Sequence, residues 1–301
     1  MRTSPSPYAV GGLVPEAAIS AGQKLPAPLP GKERFRMGYL KNKMQLKDYP
    51  RFLTPDFEPF DALKLAQKTQ DIVARDQKRK FTDFYTVGVY GGIATGYTCG
   101  CCLRCIFCWV GWSRDFPEDY GAFYSPQEVL KRLEKAARPR RIRKARISGG
   151  EPTLVREHLL GVLQLVERSS FELFILETNG ILFGADKSYA REIARFKKVH
   201  TRVSLKAGTP EAFTKKTGAR PEDFWLPFAG IENLASARAS FHIAAMSADP
   251  RFMDEAERRQ LSERLERVHP KLSRNLEEEV VNPYQTTLAR LKYAGCEVKW
   301  R

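Results

Sequence analysis

The run Gly100-Cys101-Cys102-Leu103-Arg104-Cys105-Ile106-Phe107-Cys108-Trp109 decides how this sequence is read. With Cys99 it places five cysteines within ten residues, and Cys296 is the only other cysteine of the chain. No hydrophobic signal peptide opens the sequence, so the thiols read as reduced and intracellular rather than as a disulfide framework. Structural zinc wants four ligands in two separated pairs, and here His158, His200, His242 and His269 are scattered singly. Three close thiolates suit a soft centre such as an iron–sulfur cluster. Two triplets compete for it. Cys101, Cys105 and Cys108 form C-x3-C-x2-C, which leaves one iron of a four-iron cluster open to a small chelating molecule. Cys102, Cys105 and Cys108 form C-x2-C-x2-C, the opening of a ferredoxin motif, but the fourth cysteine and proline of that motif do not follow.

Outward from this run the chain alternates strand-like and helix-like segments, the mark of β/α units around a parallel sheet. A first strand is predicted over residues 87–95, feeding the cysteine loop. Ser125-Pro126-Gln127-Glu128 opens a helix with a capping box and proline in its first turn, and Val129, Leu130, Leu133 and Ala136 follow at helical spacing. Strand two is predicted over 144–148, ending at Gly149-Gly150-Glu151, with a helix over 154–168 in which Thr153 serves as cap. Strand three (172–176) ends at Glu177-Thr178-Asn179-Gly180, and further strands are predicted over 199–206, 240–246 and 278–281. Six strands with polar or glycine residues at their carboxyl ends imply an α/β fold, an open partial (β/α)6 barrel. On strand four, period two separates Val199, Thr201, Val203 and Leu205 from His200, Arg202, Ser204 and Lys206. A lysine turned inward there needs an anionic partner.

The cysteine run together with Ser148-Gly149-Gly150-Glu151-Pro152-Thr153 resembles the radical S-adenosylmethionine (SAM) superfamily, in which the amino and carboxylate groups of SAM chelate the open iron of a [4Fe–4S] cluster. The resemblance covers roughly residues 84–301. It implies Cys101, Cys105 and Cys108 as cluster ligands and Gly149, Gly150 and Glu151 at the SAM amino group. It also implies Glu177, Thr178 and Asn179 as SAM contacts, Lys206 at the SAM carboxylate, and Phe107 shielding the cluster while its backbone faces the adenine. Val203-Ser204-Leu205-Lys206 and Pro283-Tyr284-Gln285 look like the branch containing pyruvate formate-lyase activating enzyme. Ser204 stands at that branch's aspartate and Gln285 at its histidine. Residues 100 to 105 also resemble the Gly-Cys-Asn-Leu-Arg-Cys pattern of a group of stand-alone radical SAM proteins, with Cys102 at the asparagine. The chemistry implied is reductive cleavage of SAM to methionine and a 5′-deoxyadenosyl radical that takes hydrogen from a substrate, in an oxygen-sensitive enzyme fed by a low-potential donor such as flavodoxin or ferredoxin.

Composition bounds the remainder. With 301 residues and 43% hydrophobic content the chain buries a full core in one or two domains. No apolar stretch approaches the ~20 residues of a membrane span, so a soluble, cytoplasmic protein without membrane partners is expected. Residues 1–83 read as an N-terminal extension: a proline-rich, partly disordered arm over the first thirty-one residues and an accessory helix over 57–80. Residues 84–301 form the barrel domain. The formal charge is +15, and residues 131–146 hold nine basic residues against Glu134 alone. Arg138, Arg140, Arg141 and Arg143 precede strand two and belong at its amino end, opposite the cofactor face, while Trp112 and Arg114 follow the cluster loop at the place for substrate contact. The activating-enzyme resemblance favours a protein or peptide substrate. The charge favours RNA, and the size admits a small molecule. A ferredoxin-like electron carrier and a metal-stabilised nucleic-acid-binding module are the non-enzymatic alternatives.

Overall fold

A computed structural model of the chain describes residues 49–300, and the expectation for the proline-rich arm lies outside them. Helix α1 (Ala62–Val73) starts where the Asp61 carboxylate accepts from Leu63 N and Lys64 N, at 2.9 Å each. It is shorter than predicted. At Ala74 the chain turns extended and forms β1 (Ala74–Arg75) and β2 (Lys78–Val87), folded back on each other around Asp76, which takes a left-handed φ of 47°. The hairpin was hidden by its composition, because Lys78-Arg79-Lys80 reads as a solvated charge run. Arg79 and Lys80 are in fact buried. Arg79 donates to the carbonyls of Glu151 (2.6 Å) and Pro152, and Lys80 to those of Pro117 and Glu118 (2.7 Å each). The domain boundary drawn at residue 83 falls inside β2.

The predicted first strand likewise straddles a break. β2 ends at Val87, a tight turn crosses residues 89–91, and β3 (Ile93–Thr98) runs antiparallel to β2. β4 (Ala122–Tyr124) pairs with the far side of β2. The β/α alternation then follows: α2 (Pro126–Ala137), β5 (Lys144–Gly149), α3 (Arg156–Arg168), β6 (Leu173–Thr178), α4 (Ile181–Ala185), α5 (Lys187–Ile193), β7 (Val199–Leu205), α6 (Pro210–Thr217), α7 (Trp225–Ser236), β8 (Phe241–Ala245), α8 (Glu255–Val268), α9 (Pro270–Arg274), β9 (Glu277–Glu278) and α10 (Gln285–Tyr293). Strands β3, β5, β6, β7, β8 and β9 are mutually parallel neighbours in that order, so six parallel strands carry the fold and β1, β2 and β4 extend its first edge. The fold is α/β with a mostly parallel sheet.

The capping box at Ser125 forms as read, with Glu128 N donating to Ser125 Oγ (3.3 Å) and Ser125 N to Glu128 Oε2 (2.7 Å). Thr153 does not cap α3. That helix begins at Arg156, and residues 152–154 form a separate 3-10 turn capped by Glu151. On β7 the predicted alternation holds: Val199, Thr201, Val203 and Leu205 are buried in the core, and the other face carries the polar side chains. Among the described residues no helix is long and apolar enough to cross a membrane.

Candidate active site

The cluster loop leaves the carboxyl end of β3 and docks by backbone bonds to two distant segments. Gly100 N donates to Ser113 O (3.0 Å), and Arg104 N and Ile106 N donate to Thr217 O and Lys216 O (2.9 and 3.0 Å) at the end of α6. Cys101 and Cys108 are partly exposed, Cys105 is buried, and Cys102 is fully buried behind them. Cys101 Sγ accepts from Leu103 N at 3.4 Å, and the Asn179 amide reaches Cys102 Sγ (3.2 Å) and Cys101 Sγ (3.9 Å). The hydrogen bond between the neighbouring thiols lowers Cys101, and the same hydrogen bond with burial raises Cys102, so Cys101 is the readier thiolate of the two. Burial pushes Cys105 up to about 12 against the pull of Lys206 and Arg114. Cys99 points elsewhere: its thiol donates to Tyr120 O at 3.7 Å, and burial raises it to about 12.

Among the described residues no three His, Cys, Asp or Glu side chains converge tightly enough for a single metal ion. A four-iron cluster carries each cysteine on a different iron, so its sulfur ligands stand farther apart than the shell of one ion. A soft, all-thiol triplet on one loop, with two members open to solvent, fits a cluster better than zinc.

Gly150 lies hard against this loop. A Cβ there would sit 2.0 Å from Gly100 O, and one at Gly149, whose φ is +93°, would sit 3.0 Å from Thr98 N. The glycine pair is therefore required first for packing against the cluster loop, with Gly150 N donating to Thr98 O and Glu151 N to Gly100 O. Glu151 also serves the scaffold. Its carboxylate accepts from Thr153 N (3.1 Å), Thr153 Oγ1 (2.7 Å), Thr178 Oγ1 (2.7 Å) and Asn179 N (2.9 Å). Three of these donors converge on Oε1 and one on Oε2, so the side chain ties the end of β5 to the end of β6 and Oε2 can accept one further donor. Thr178 is spent in the same knot, and Asn179 Oδ1 accepts from Ile181 N, leaving its amide aimed at the thiols.

Ser204 and Lys206 extend from β7 on the face toward the cysteines, with Lys206 Nζ donating to Ser204 Oγ at 2.6 Å. Below them the same face carries a polar layer assembled from five strands. Arg146 pairs with Glu177 (2.7 Å), which also accepts from Ser148. Arg202 pairs with Glu277 (2.9 Å) and Glu279 (2.7 Å). Burial alone would raise Glu177, but Arg146 and Arg202 hold it below the ordinary carboxyl range. Two histidines that are scattered in sequence meet here. His242 Nε2 donates to Glu277 Oε2 (2.7 Å), and its Nδ1 lies 2.7 Å from His200 Nε2. Burial would raise Glu277, but the bonds from His242 and Arg202 bring it down to about 2. Glu177 is thus part of this layer.

Phe107 is buried edge-on against Phe252, with ring centroids 5.8 Å apart. Gln285 is exposed at the first turn of α10, whose next residues grip the cluster loop: Thr286 Oγ1 donates to Trp109 O (3.2 Å) and Thr287 Oγ1 to Cys108 O (3.1 Å). Arg114 and Trp112 do not form a substrate surface. Arg114 is buried against Asp115 and donates to Cys105 O (2.7 Å), and Trp112 packs edge-on against Phe52. Sequence reasoning passed over Arg79, Arg104 and Arg290, which hold the backbone of this region. Only Arg104 carried a signal, by lying inside the cysteine motif.

The family model of the radical SAM superfamily matches residues 96–270, more than half of the chain. The chain belongs to this superfamily. No curated protein matches it. Among solved structures it is similar to Streptococcus suis SuiB bound to S-adenosylmethionine, at 20% identity and a TM-score of 0.39 over 48% of this chain and 31% of that one. It is also similar to TYW1 with a lysine–pyruvate adduct bound, at 19% identity and 0.41 over 58% and 61%. A third is the cobalamin-dependent SAM radical enzyme OxsB with aqua-cobalamin bound, at 11% and 0.41 over 65% and 28%. The matches span less than two thirds of each of these proteins. As a radical SAM protein the chain is an enzyme, and its cofactors are a [4Fe–4S] cluster and SAM.

Proposed function

We propose that this radical SAM protein holds its cluster on Cys101, Cys105 and Cys108, binds SAM across the carboxyl ends of β5, β6 and β7 in an open partial (β/α)6 barrel built on β3 and β5–β9, and removes a hydrogen atom from a protein or peptide in the manner of an activating enzyme. The observation that carries this reading is convergence. The cysteine loop, the glycine pair, Asn179 and the Ser204–Lys206 pair come from four successive parallel strands and gather at the carboxyl ends of those strands. When bound, the cluster and SAM supply a 5′-deoxyadenosyl radical.

The protein's own residues bind, orient and exclude. The amino group of SAM meets the backbone at Gly149 and Gly150, with Glu151 Oε2 holding one further acceptor site beside them. Lys206, steered by Ser204, supplies a cation for the SAM carboxylate. Phe107 and Phe252 close one wall against water, and Gln285 stands at the rim beside the exposed Trp109. The polar layer of Arg146, Glu177, Arg202 and Glu277 underlies the site, its charges paired within the protein. Electrons come from a low-potential flavodoxin or ferredoxin. A ferredoxin-like carrier would have no use for the glycine pair or for Lys206 beside the thiols.

The test is anaerobic reconstitution with iron and sulfide, reduction with dithionite in the presence of SAM, and chromatographic detection of 5′-deoxyadenosine. Wild-type protein is expected to form it, and Cys105→Ala is expected to lose both cluster absorbance and product. Undiminished product from Cys105→Ala would refute the ligand assignment, and a loaded wild type that neither binds nor cleaves SAM would leave the electron-carrier reading.

A further inference from the structure

Each cysteine assigned to the cluster has its backbone carbonyl held by a different buried arginine. Arg104 Nη1 donates to Cys101 O at 2.8 Å, Arg114 Nη1 to Cys105 O at 2.7 Å, and Arg290 Nη1 to Cys108 O at 2.6 Å. The three come from separate places: the loop, the turn that follows it, and α10. None is more than 2% exposed. Arg114 and Arg290 share the fully buried carboxylate of Asp115. Arg104 makes no ion pair with a carboxylate among the described residues, although its charge also acts on Asp115. Its other bonds go to the carbonyls of Leu103 and Pro50, its plane lies 5.0 Å from the Tyr49 ring centroid, and its Nη2 is buried without a partner among those residues. A desolvated guanidinium is costly unless negative charge stands close to it, and Arg104 lies between the first two cluster cysteines of the loop, bonded to the Cys101 carbonyl.

We propose that Arg104, supported by Arg114 and Arg290, raises the reduction potential of the cluster held by Cys101, Cys105 and Cys108, an inference that rests on the ligand assignment above. Three thiolates on a [4Fe–4S] core carry net negative charge, which grows by one when an electron is accepted from an external low-potential reductant. Fixed positive charge in a dry surrounding stabilises the more negative state. Arginine suits the task because it keeps its proton when buried, where lysine gives it up more readily. Among the described residues Asp115 is one negative charge against the three arginines, so the group keeps net positive charge beside the thiols, with Arg104 outside the Asp115 ion pairs and Asp115 the counterweight. These are positioning residues. They act through the loop and its field, and they leave the ligand shell to the cysteines.

The experiment is a potentiometric titration of the full reconstituted chain, following the reduced cluster by electron paramagnetic resonance, in wild type, Arg104→Gln, Arg104→Lys and Asp115→Asn. Gln keeps a donor for the carbonyls and removes the charge. The expected result for Arg104→Gln is a lower midpoint, at least about tenfold less reduced cluster at a fixed potential, or about 59 mV for a one-electron couple. Arg104→Lys, whose buried ammonium gives up its proton more readily, is expected to fall between wild type and Arg104→Gln, and Asp115→Asn to move in the opposite direction to Arg104→Gln. Loaded Arg104→Gln and Asp115→Asn with wild-type midpoints would overturn the inference. So would loss of cluster uptake in both variants, which would reduce the arginines to a folding role. A wild type that takes up no cluster would instead overturn the ligand assignment itself.

Discussion

Gly150 shows how little freedom the site allows a single residue. Its backbone passes so close to Gly100 that one added carbon would meet the carbonyl oxygen at 2.0 Å, and that atom belongs to backbone immediately before the first cluster cysteine. Gly150→Ala must push β5 and the cluster loop apart. The expected outcome is a destabilisation of roughly 1–3 kcal/mol or more in urea unfolding of the apo protein, with iron uptake abolished. Gly111→Ala is the control, since nothing lies within 4 Å of a Cβ at that position and its φ is −57°. Equal stability and equal iron content in the two variants would contradict the packing account. At this scale the sequence was legible in part. The spacing of Cys101, Cys105 and Cys108 and the glycine pair were readable because metal ligation and close backbone approach restrict residue type. The bonds that Glu151 makes within the protein were not, because a carboxylate after a glycine pair suits an ammonium group and protein donors equally well. Only the fold brings Thr178 and Asn179 to it.

Helices and strands were read where their signals are local. The capping box at Ser125 and the alternation of β7 depend on neighbours a few residues away, and both form as predicted. The β1–β2 hairpin failed to register because its arginine and lysine are buried by loop carbonyls more than 30 residues downstream. α3 holds another such long connection. His158 lies beneath Phe81 and reaches Tyr124 on β4, and because a carbonyl only accepts, Nε2 carries the hydrogen at 2.9 Å. Burial first, then the nearby Arg79, lowers this imidazole to about 4. Unfolded histidine titrates near 6.5, so between about 6.5 and 4 the unfolded chain binds a proton that the folded one refuses. Stability from this group is complete above pH 6.5 and is lost as pH falls toward 4, on the order of 3 kcal/mol. Urea midpoints at pH 7 and pH 4.5 should fall further apart for wild type than for His158→Gln, which can still donate to Tyr124. Parallel pH profiles would refute the assignment.

Across the whole molecule the formal charge of +15 is distributed in a way the linear run conceals. Of the basic residues in 131–146, Arg146 turns inward to Glu177, and Lys144 reaches Tyr90 O at 2.7 Å. Arg138, Arg140, Arg141 and Arg143 remain exposed just before β5, at the opposite end of that strand from Gly149 and the cluster loop. In the sequence the nine basic residues share one sixteen-residue stretch. The sheet sorts them into an internal pair and an external patch, because strand period and helix end decide direction independently of charge. The external patch can attract phosphates, but it cannot bring them to Lys206 and the cysteines across the length of β5. Replacing all four exposed arginines with glutamine should therefore weaken binding of a mixed-sequence single-stranded RNA. The slope of log affinity against log salt should flatten by about 0.7 for each phosphate that the variant no longer neutralises. The rate of 5′-deoxyadenosine formation by the reconstituted protein should stay at the wild-type value with or without that RNA. If turnover instead rises with RNA in the wild type and the variant shows no such response, the patch delivers substrate, and the protein or peptide reading gives way to an RNA one.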